Sequence, residues 1–282
     1  MGFYMIRCHH AGKMGDLIYA LPVMRALARL NDDKIHLITS AHCHQLAPLL
    51  WEQPYFADVV MDDARPYKMS DGIMQNWDYF KNGEGINLSP QPSFYEPTAP
   101  VSWTMCYAKT AILKKLELAD YICLPSLINH RRWHFGFSIK MDGQPIERVK
   151  KAVVAPEVES LREESEEFWQ QIIRELTARD YYVMVVGKRY ADPIYNCHDL
   201  RGLTSVSVLA RLIAESDLFI GAHSLPWHLA RHSETPAICL QKFSPGLARC
   251  IPLDTPYVWY QPERWNEAID VALSKFNQVE KH

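Results

Sequence analysis

The chain has 282 residues, 48% hydrophobic and 22% charged, with a formal net charge of −3. That length suffices for two α/β domains of ordinary size. The composition excludes a disordered chain, and the charge gives no overall basic footprint for nucleic acid. No apolar run reaches the roughly 18 residues needed to span a bilayer. Arg7, His9 and His10 interrupt the start of the chain where a signal peptide would stay apolar, so the expectation is a cytoplasmic protein.

Residues 4–9 read as a first strand, and 16–30 as an amphipathic helix with Leu17, Leu21, Met24, Leu27 and Leu30 on its buried side. Between them runs the loop Ala11-Gly12-Lys13-Met14-Gly15-Asp16. It brings a lysine, two glycines and a carboxylate to the carboxyl end of a strand, the edge at which open α/β sheets bind ligands. Spacing alone leaves two roles for Asp16: a cap on the helix beginning there, or a reacting group presented at the sheet edge. The loop matches neither GxxxxGK[ST] nor GxGxxG. A strand at 34–39, a helix at 42–51 and a strand at 57–61 complete a β-α-β-α-β alternation, the pattern of a parallel doubly wound sheet.

Residues 62–103 are rich in aromatics and turn formers, with Pro90, Pro92, Pro97 and Pro100 close together. They predict a long functional loop or a surface insertion, and a place for an acceptor to bind. A helix is expected at 104–116. The segment 125–149, with its basic-aromatic run His130-Arg131-Arg132-Trp133-His134, ends in a linker. Periodicity restarts at Lys151, with strands at 152–155, 181–186, 218–220 and 237–240. Helices fall at 165–179, at 205–215 with Val208, Leu209, Leu212 and Ile213 inward, and at 264–276. The fold class is therefore α/β, two Rossmann-like doubly wound domains. The expected division is 1–145, 146–262, and a C-terminal helix, 263–282, packing back on either half.

Residues 218–240, LFIGAHSLPWHLARHSETPAICL, are the most informative stretch. A buried strand ends at Gly221, a loop carries His223 and Ser224, and Pro226 sits in the first turn of a helix that holds His228. A helix N-terminus offers unpaired N–H groups and the positive end of a dipole, which contributes about 0.3–1 kcal/mol toward an anion at an exposed site. The stretch predicts a phosphate-bearing ligand. Gly187 and Lys188, after the preceding strand, read equally as a second edge of a nucleotide pocket or as a strand-ending turn. The seven cysteines form no CxxC pair and read as reduced, structural thiols. None of the twelve histidines has a carboxylate or cysteine at a recognised ligand spacing, so no metal site is expected.

Two segments carry a family resemblance. GDLIYALPVMRALARL, residues 15–30, resembles the opening of the heptosyltransferase-type glycosyltransferases of family 9. Residues 201–240 resemble that family's second signature, a helix, a strand, a loop leading to histidine-leucine-alanine, and a threonine-proline before the next strand. The resemblance implies a GT-B fold with the acceptor on the first domain, a nucleotide-diphosphate sugar on the second, and catalysis in the cleft. It also implies inverting, metal-independent transfer with no cofactor. Carried over by position, Asp16 is the general base, His228 lies near the donor diphosphate, and Arg162 falls where a basic residue neutralises the leaving group. Gly12, Lys13, Met14 and Gly15 become an acceptor or phosphate loop. Gly187, Lys188, Gly221, His223, Ser224 and Pro226 join the donor side.

The sequence also departs from that pattern. His223 and Leu225 stand where the family has an acidic residue and a glycine, and a leucine confines the backbone to negative φ unless strain is tolerated. The implied partners are a nucleotide-sugar donor and a saccharide acceptor. Two further readings stay open: a phage-type glycosyltransferase acting on modified bases in DNA, with 130–134 on phosphates and bases, and a non-catalytic nucleotide-sugar-binding protein of the same fold.

Overall fold

A computed structural model describes residues 5–62, 69–70, 73–74, 85–90, 106–107, 149–157, 164–188, 194–233, 235–240, 258–259 and 261–279. They fall into two compact units, each with its own parallel sheet.

The first unit begins with β1 (Ile6–His10), α1 (Met14–Asn31) and β2 (Ile35–Ser40). A 3-10 turn (Ala41–Leu46), α2 (Ala47–Trp51) and β3 (Phe56–Asp62) follow. Where one helix is expected at 42–51 the chain makes two short pieces. The Ser40 hydroxyl accepts the His42 N–H at 3.3 Å to start the first, and Pro48, in the first turn of the second, has no N–H to continue a ladder. Residues 62–103 are not all loop. The two-residue strands β4 (Met69–Ser70) and β5 (Ile73–Met74) pair antiparallel, and β6 (Ile86–Asn87) adds a parallel strand beside β1. Polar, glycine-rich flanks hide so short a strand from any periodicity argument. The sheet order is β3-β2-β1-β6.

Helix α1 is buried without a break from Leu17 to Met24, so it is enclosed rather than one-faced. That enclosure lets it carry Pro22, whose missing hydrogen bond and steric clash cost about 3 kcal/mol in a helix interior. Leu30, expected on the buried side, is 59% exposed. It lies in the last turn, where the chain leaves through Asp32 in the left-handed conformation at φ 50°.

The second unit contains β7 (Lys150–Ala155), α3 (Glu166–Ala178), β8 (Tyr181–Val185), β9 (His198–Asp199) and α4 (Val206–Ala214). It continues through β10 (Leu218–Gly221), α5 (Leu225–His232), β11 (Ala237–Leu240), β12 (Val258–Trp259) and α6 (Trp265–Val279). Serine hydroxyls cap α3 (Ser165 to the Phe168 N–H, 3.2 Å) and α4 (Ser205 to the Val208 N–H, 3.3 Å). Val208 was expected inward but is 47% exposed. The buried stripe of α4 is Val206, Leu209, Ala210 and Ile213, and at 100° per residue Val208 lies on the opposite side.

Trp169, Ile172, Ile173 and Leu176 of α3 share one core with β7, β8, β10 and β11. Ala268, Ile269 and Ala272 of α6 pack into the same core, and Arg179 ties α6 down through Asp270 at 2.5 Å. The C-terminal helix therefore belongs with the second sheet.

The order of that sheet, β12-β11-β10-β7-β8-β9, is the doubly wound 6-5-4-1-2-3 arrangement in chain order. Its direction of winding reverses between β7 and β10. Open sheets bind ligands at the carboxyl ends of the strands flanking such a reversal. In the first sheet the corresponding reversal falls between β1 and β6.

Candidate functional site

In the first unit the loop after β1 is held by buried hydrogen bonds. The Ala11 N–H donates to the Ser89 hydroxyl beyond β6 at 2.9 Å, across the reversal point. The Gly12 N–H donates to His10 Nδ1 at 3.2 Å, and the Cys43 thiol donates to the Gly12 carbonyl at 3.5 Å. The Lys13 N–H donates to Asp16 Oδ2 at 2.8 Å. Met14 and Gly15, expected in the loop, form the first turn of α1, with Lys13 as its N-cap and Asp16 third in the helix.

Asp16 therefore caps the helix, one of the two roles its spacing leaves open, through the carboxylate half of a capping box. Its carboxyl is also chemically unusual: burial pushes it up to about 6, against the opposing pull of the Lys13 N–H and the nearby Lys13 charge. A carboxylate so shifted is a stronger base than an exposed one and is still roughly nine-tenths ionised at pH 7.

Gly12 is required by space. A Cβ there would lie 2.7 Å from Asp16 Cβ, 2.9 Å from Asp16 Oδ2 and 2.8 Å from His10 Cε1. His10 is fully buried, and burial pushes it down to about 3, the Asp16 backbone opposing. Its Nε2 makes no hydrogen bond of normal geometry, and its ring centroid lies 6.2 Å from that of buried Tyr107. Cys43, buried beside Thr39 and Asp16, has its thiol raised to about 12 by burial and is inert as a nucleophile.

In the second unit Gly221, His223, Ser224, Pro226 and His228 come together at the end of β10 and the start of α5. Gly221 is explained by packing, since a Cβ would lie 2.8 Å from Phe219 Cζ and 2.9 Å from the Ala155 carbonyl of β7. Ser224 is the N-cap of α5, but its hydroxyl does not cap; it donates back to the Ala222 carbonyl at 3.3 Å. The first turn of α5 thus keeps its dipole uncompensated by any side-chain cap, with Pro226 in that turn. Leu225 opens the helix and is not among the described non-glycine residues of positive φ. The glycine-to-leucine departure therefore carries no strain.

His223 stacks edge-on against His228 at 4.8 Å and against Trp227 at 5.5 Å. Burial pushes it down to about 4, so it is neutral at physiological pH. His228 is 6% exposed, and Arg231 lies over the fully buried Trp227 ring at 5.8 Å.

Gly187, in the turn after β8, has φ +143°, and a Cβ there would lie 2.6 Å from Glu157 Oε2. Its turn demands glycine, and β8, which ends two residues earlier at Val185, lies two strands from β10. Lys188 is exposed beside it.

Three residues that sequence reasoning passed over meet nearby. Arg201, 6% exposed, makes a two-pronged bond to Asp199 (2.9 and 2.8 Å) and reaches Glu157 at 3.7 Å. Arg201 and Glu157, with Pro156 and Trp169, line a cavity of about 20 Å³, room for about one water. The available signal was positional, because Glu157 lies two residues past β7, at the reversal point. His10, the last residue of β1, enters the sequence reading only as an interruption of the apolar start and as one of twelve histidines with no metal-ligand spacing. Arg162, the run His130 to Trp133 and His134, most of 62–103 and most of the helix expected at 104–116 lie outside the described residues, although Cys106 and Tyr107 are helical.

Comparison with known proteins bears on the fold. No protein-family model matches the sequence, and neither does any curated protein. Among solved structures, a family 9 glycosyl transferase from Veillonella parvula aligns with TM-score 0.60 and 12% identity, over 98% of this chain and 99% of that one. E. coli ADP-heptose LPS heptosyltransferase II aligns with TM-score 0.58 and 13% identity, over 97% and 100%. This is the GT-B fold of the heptosyltransferases. The glycosyltransferase TibC from enterotoxigenic E. coli aligns with TM-score 0.57 and 13% identity; this chain spans 63% of its length. At such identities the likeness is one of fold. Among the described residues, no helix is long and apolar enough to cross a membrane.

Proposed function

We propose that the chain is a family 9-type, inverting glycosyltransferase that moves a sugar from a nucleotide-diphosphate donor to an acceptor hydroxyl. The observation that carries the reading is the opposite equipment of the two reversal-point loops. The first holds a half-buried carboxyl of raised proton affinity, and the second opens a helix N-terminus with no side-chain cap beside two histidines. Within a GT-B fold these fit the two needs of glycosyl transfer, a base for the acceptor and a cradle for the departing diphosphate.

In the step proposed, Asp16 takes the proton of the acceptor hydroxyl as its oxygen bonds to the anomeric carbon from the face opposite the leaving group. The bond from that carbon to the diphosphate oxygen breaks, and its electron pair leaves with the nucleoside diphosphate. The α5 N-terminus, Ser224 and His228 stabilise the charge that develops there. Neutral His223, replacing an acid, offers the donor a hydrogen-bonding ring without repelling phosphate. The aligned E. coli heptosyltransferase WaaC is described with ADP-2-deoxy-2-fluoro heptose, and TibC with ADP-D-beta-D-heptose, which puts ADP-heptose first among donors to try.

A thermal-shift screen of sugar nucleotides, followed by measurement of nucleoside diphosphate release with saccharide acceptors, tests this reading. Stabilisation by at least one sugar nucleotide together with release is expected. Stabilisation without release by any donor and acceptor pair would instead favour a non-catalytic binding protein.

A further inference from the structure

We propose that His10 is a positioning residue for Asp16: by accepting the Gly12 N–H on Nδ1, its imidazole fixes the Gly12-Lys13 backbone so that the Lys13 N–H stays on the Asp16 carboxylate. The inference rests on the reading of Asp16 as a base only for its catalytic consequence; the contact itself concerns the chain alone.

Gly12 is clamped at both ends of its backbone. Its N–H goes to His10 at 3.2 Å and its carbonyl receives the Cys43 thiol at 3.5 Å. One residue on, the Lys13 N–H meets Asp16 Oδ2 at 2.8 Å. The His10 bond thus lies one peptide before the carboxylate contact, and the Cys43 bond holds the carbonyl of the same peptide whose N–H meets Asp16; a rotation at Gly12 would move the donor off Asp16. The ring and the carboxyl also press on the same glycine, since His10 Cε1 and Asp16 Oδ2 both lie within 2.9 Å of where a Cβ would sit.

A leucine could fill this fully buried position, but it would leave the Gly12 N–H buried with no acceptor, at a cost of about 1–3 kcal/mol. Because Nδ1 accepts, the neutral ring carries its proton on Nε2. The ring therefore brings no charge to Asp16 and acts through geometry. Among the described residues, the other titratable groups facing this corner are Lys13 of the loop, Cys43 of the 3-10 turn and Tyr107 beside the ring.

The conservative variant His10→Asn keeps an acceptor close to the position of Nδ1, whereas His10→Leu removes it. His10→Gln, which shifts the amide by one methylene, serves where the leucine variant does not fold. The readout is the side-chain carboxyl 13C resonance of Asp16 in aspartate-labelled full-length protein, assigned by its loss in Asp16→Asn and followed from about pH 4 to about pH 9. Wild type and His10→Asn are expected to titrate together near 6. In His10→Leu or His10→Gln the midpoint should rise by about one unit, a tenfold weaker acid, because the ionised form loses its hydrogen bond.

The same midpoint in all variants, or an asparagine variant shifted as far as the leucine one, overturns the proposal. In the transferase assay the acid limb of the kcat profile should move with that midpoint while donor KM stays put. A shifted midpoint in a protein without transfer activity would leave the positioning role standing and sink the glycosyltransferase reading, so the two failures are distinguishable.

Discussion

The loops after β1 and after β10 are built to the same plan, yet they treat their helix N-termini in opposite ways. After β1 the chain supplies its own anion: Asp16, third in α1, folds back onto the Lys13 N–H. After β10 the cap is a serine whose hydroxyl turns away to Ala222, and the first turn of α5 holds Pro226 and no carboxylate. A strand-loop-helix unit is thus an anion site only where the chain leaves it unfilled. Where the chain fills it, the same geometry yields a half-buried carboxyl whose proton affinity is raised.

The contrast can be broken most severely at Gly12. In Gly12→Ala the new Cβ cannot be placed without moving Asp16 or His10, and misplacing a reacting group by about an ångström costs on the order of 10²-fold in rate. Turnover should fall by about that factor, measured as kcat, with donor affinity retained.

The second effect is on stability. The Asp16 carboxyl is raised from 3.8 to about 6 in the folded chain, so the native state binds this proton more tightly than the unfolded one does. The group's contribution is most favourable below about pH 4 and is lost as pH rises through about 6. Asp16→Asn lacks this loss and keeps an oxygen for the Lys13 N–H. Its stability advantage over wild type should widen by about 2 kcal/mol between about pH 4 and about pH 7 in denaturant titrations. A constant difference across that range would mean the carboxyl is not buried as described.

Converting the second loop into the first is a sharper test of the comparison. Ser224→Asp would give α5 its own carboxylate cap, so thermal stability should hold or rise slightly, while affinity for ADP measured by calorimetry should drop about tenfold. Unchanged ADP affinity would show that the helix terminus is not the anion site. The smallest effect is expected from His228→Ala, a few-fold loss of ADP affinity, in keeping with one net hydrogen bond of about 1 kcal/mol.

Much of this was legible in the sequence, for identifiable reasons. Alternating strand and helix periods exposed both doubly wound sheets, and Gly221 followed by Pro226 marked the α5 terminus from residue type alone. Asp16 was legible as both cap and candidate base, and the fold lets it be the first without excluding the second. Other features depend on pairing at a distance. Strand β6 is two residues long and is defined by its register with Cys8 and His9. His10 and Cys43 acquire their meaning only when β1 and the 3-10 turn meet at Gly12. Arg201 is intelligible only beside Asp199 and Glu157. No local period encodes such contacts.

The central claim is that Asp16 performs chemistry while the α5 terminus performs binding. Its most direct test compares wild type with Asp16→Asn on the sugar nucleotide that gives the largest thermal shift, measuring donor affinity and nucleoside diphosphate release in parallel. The account predicts donor affinities within about twofold of each other and a fall in release of about 10²–10⁴-fold in the variant. Release by Asp16→Asn at the wild-type rate would contradict it.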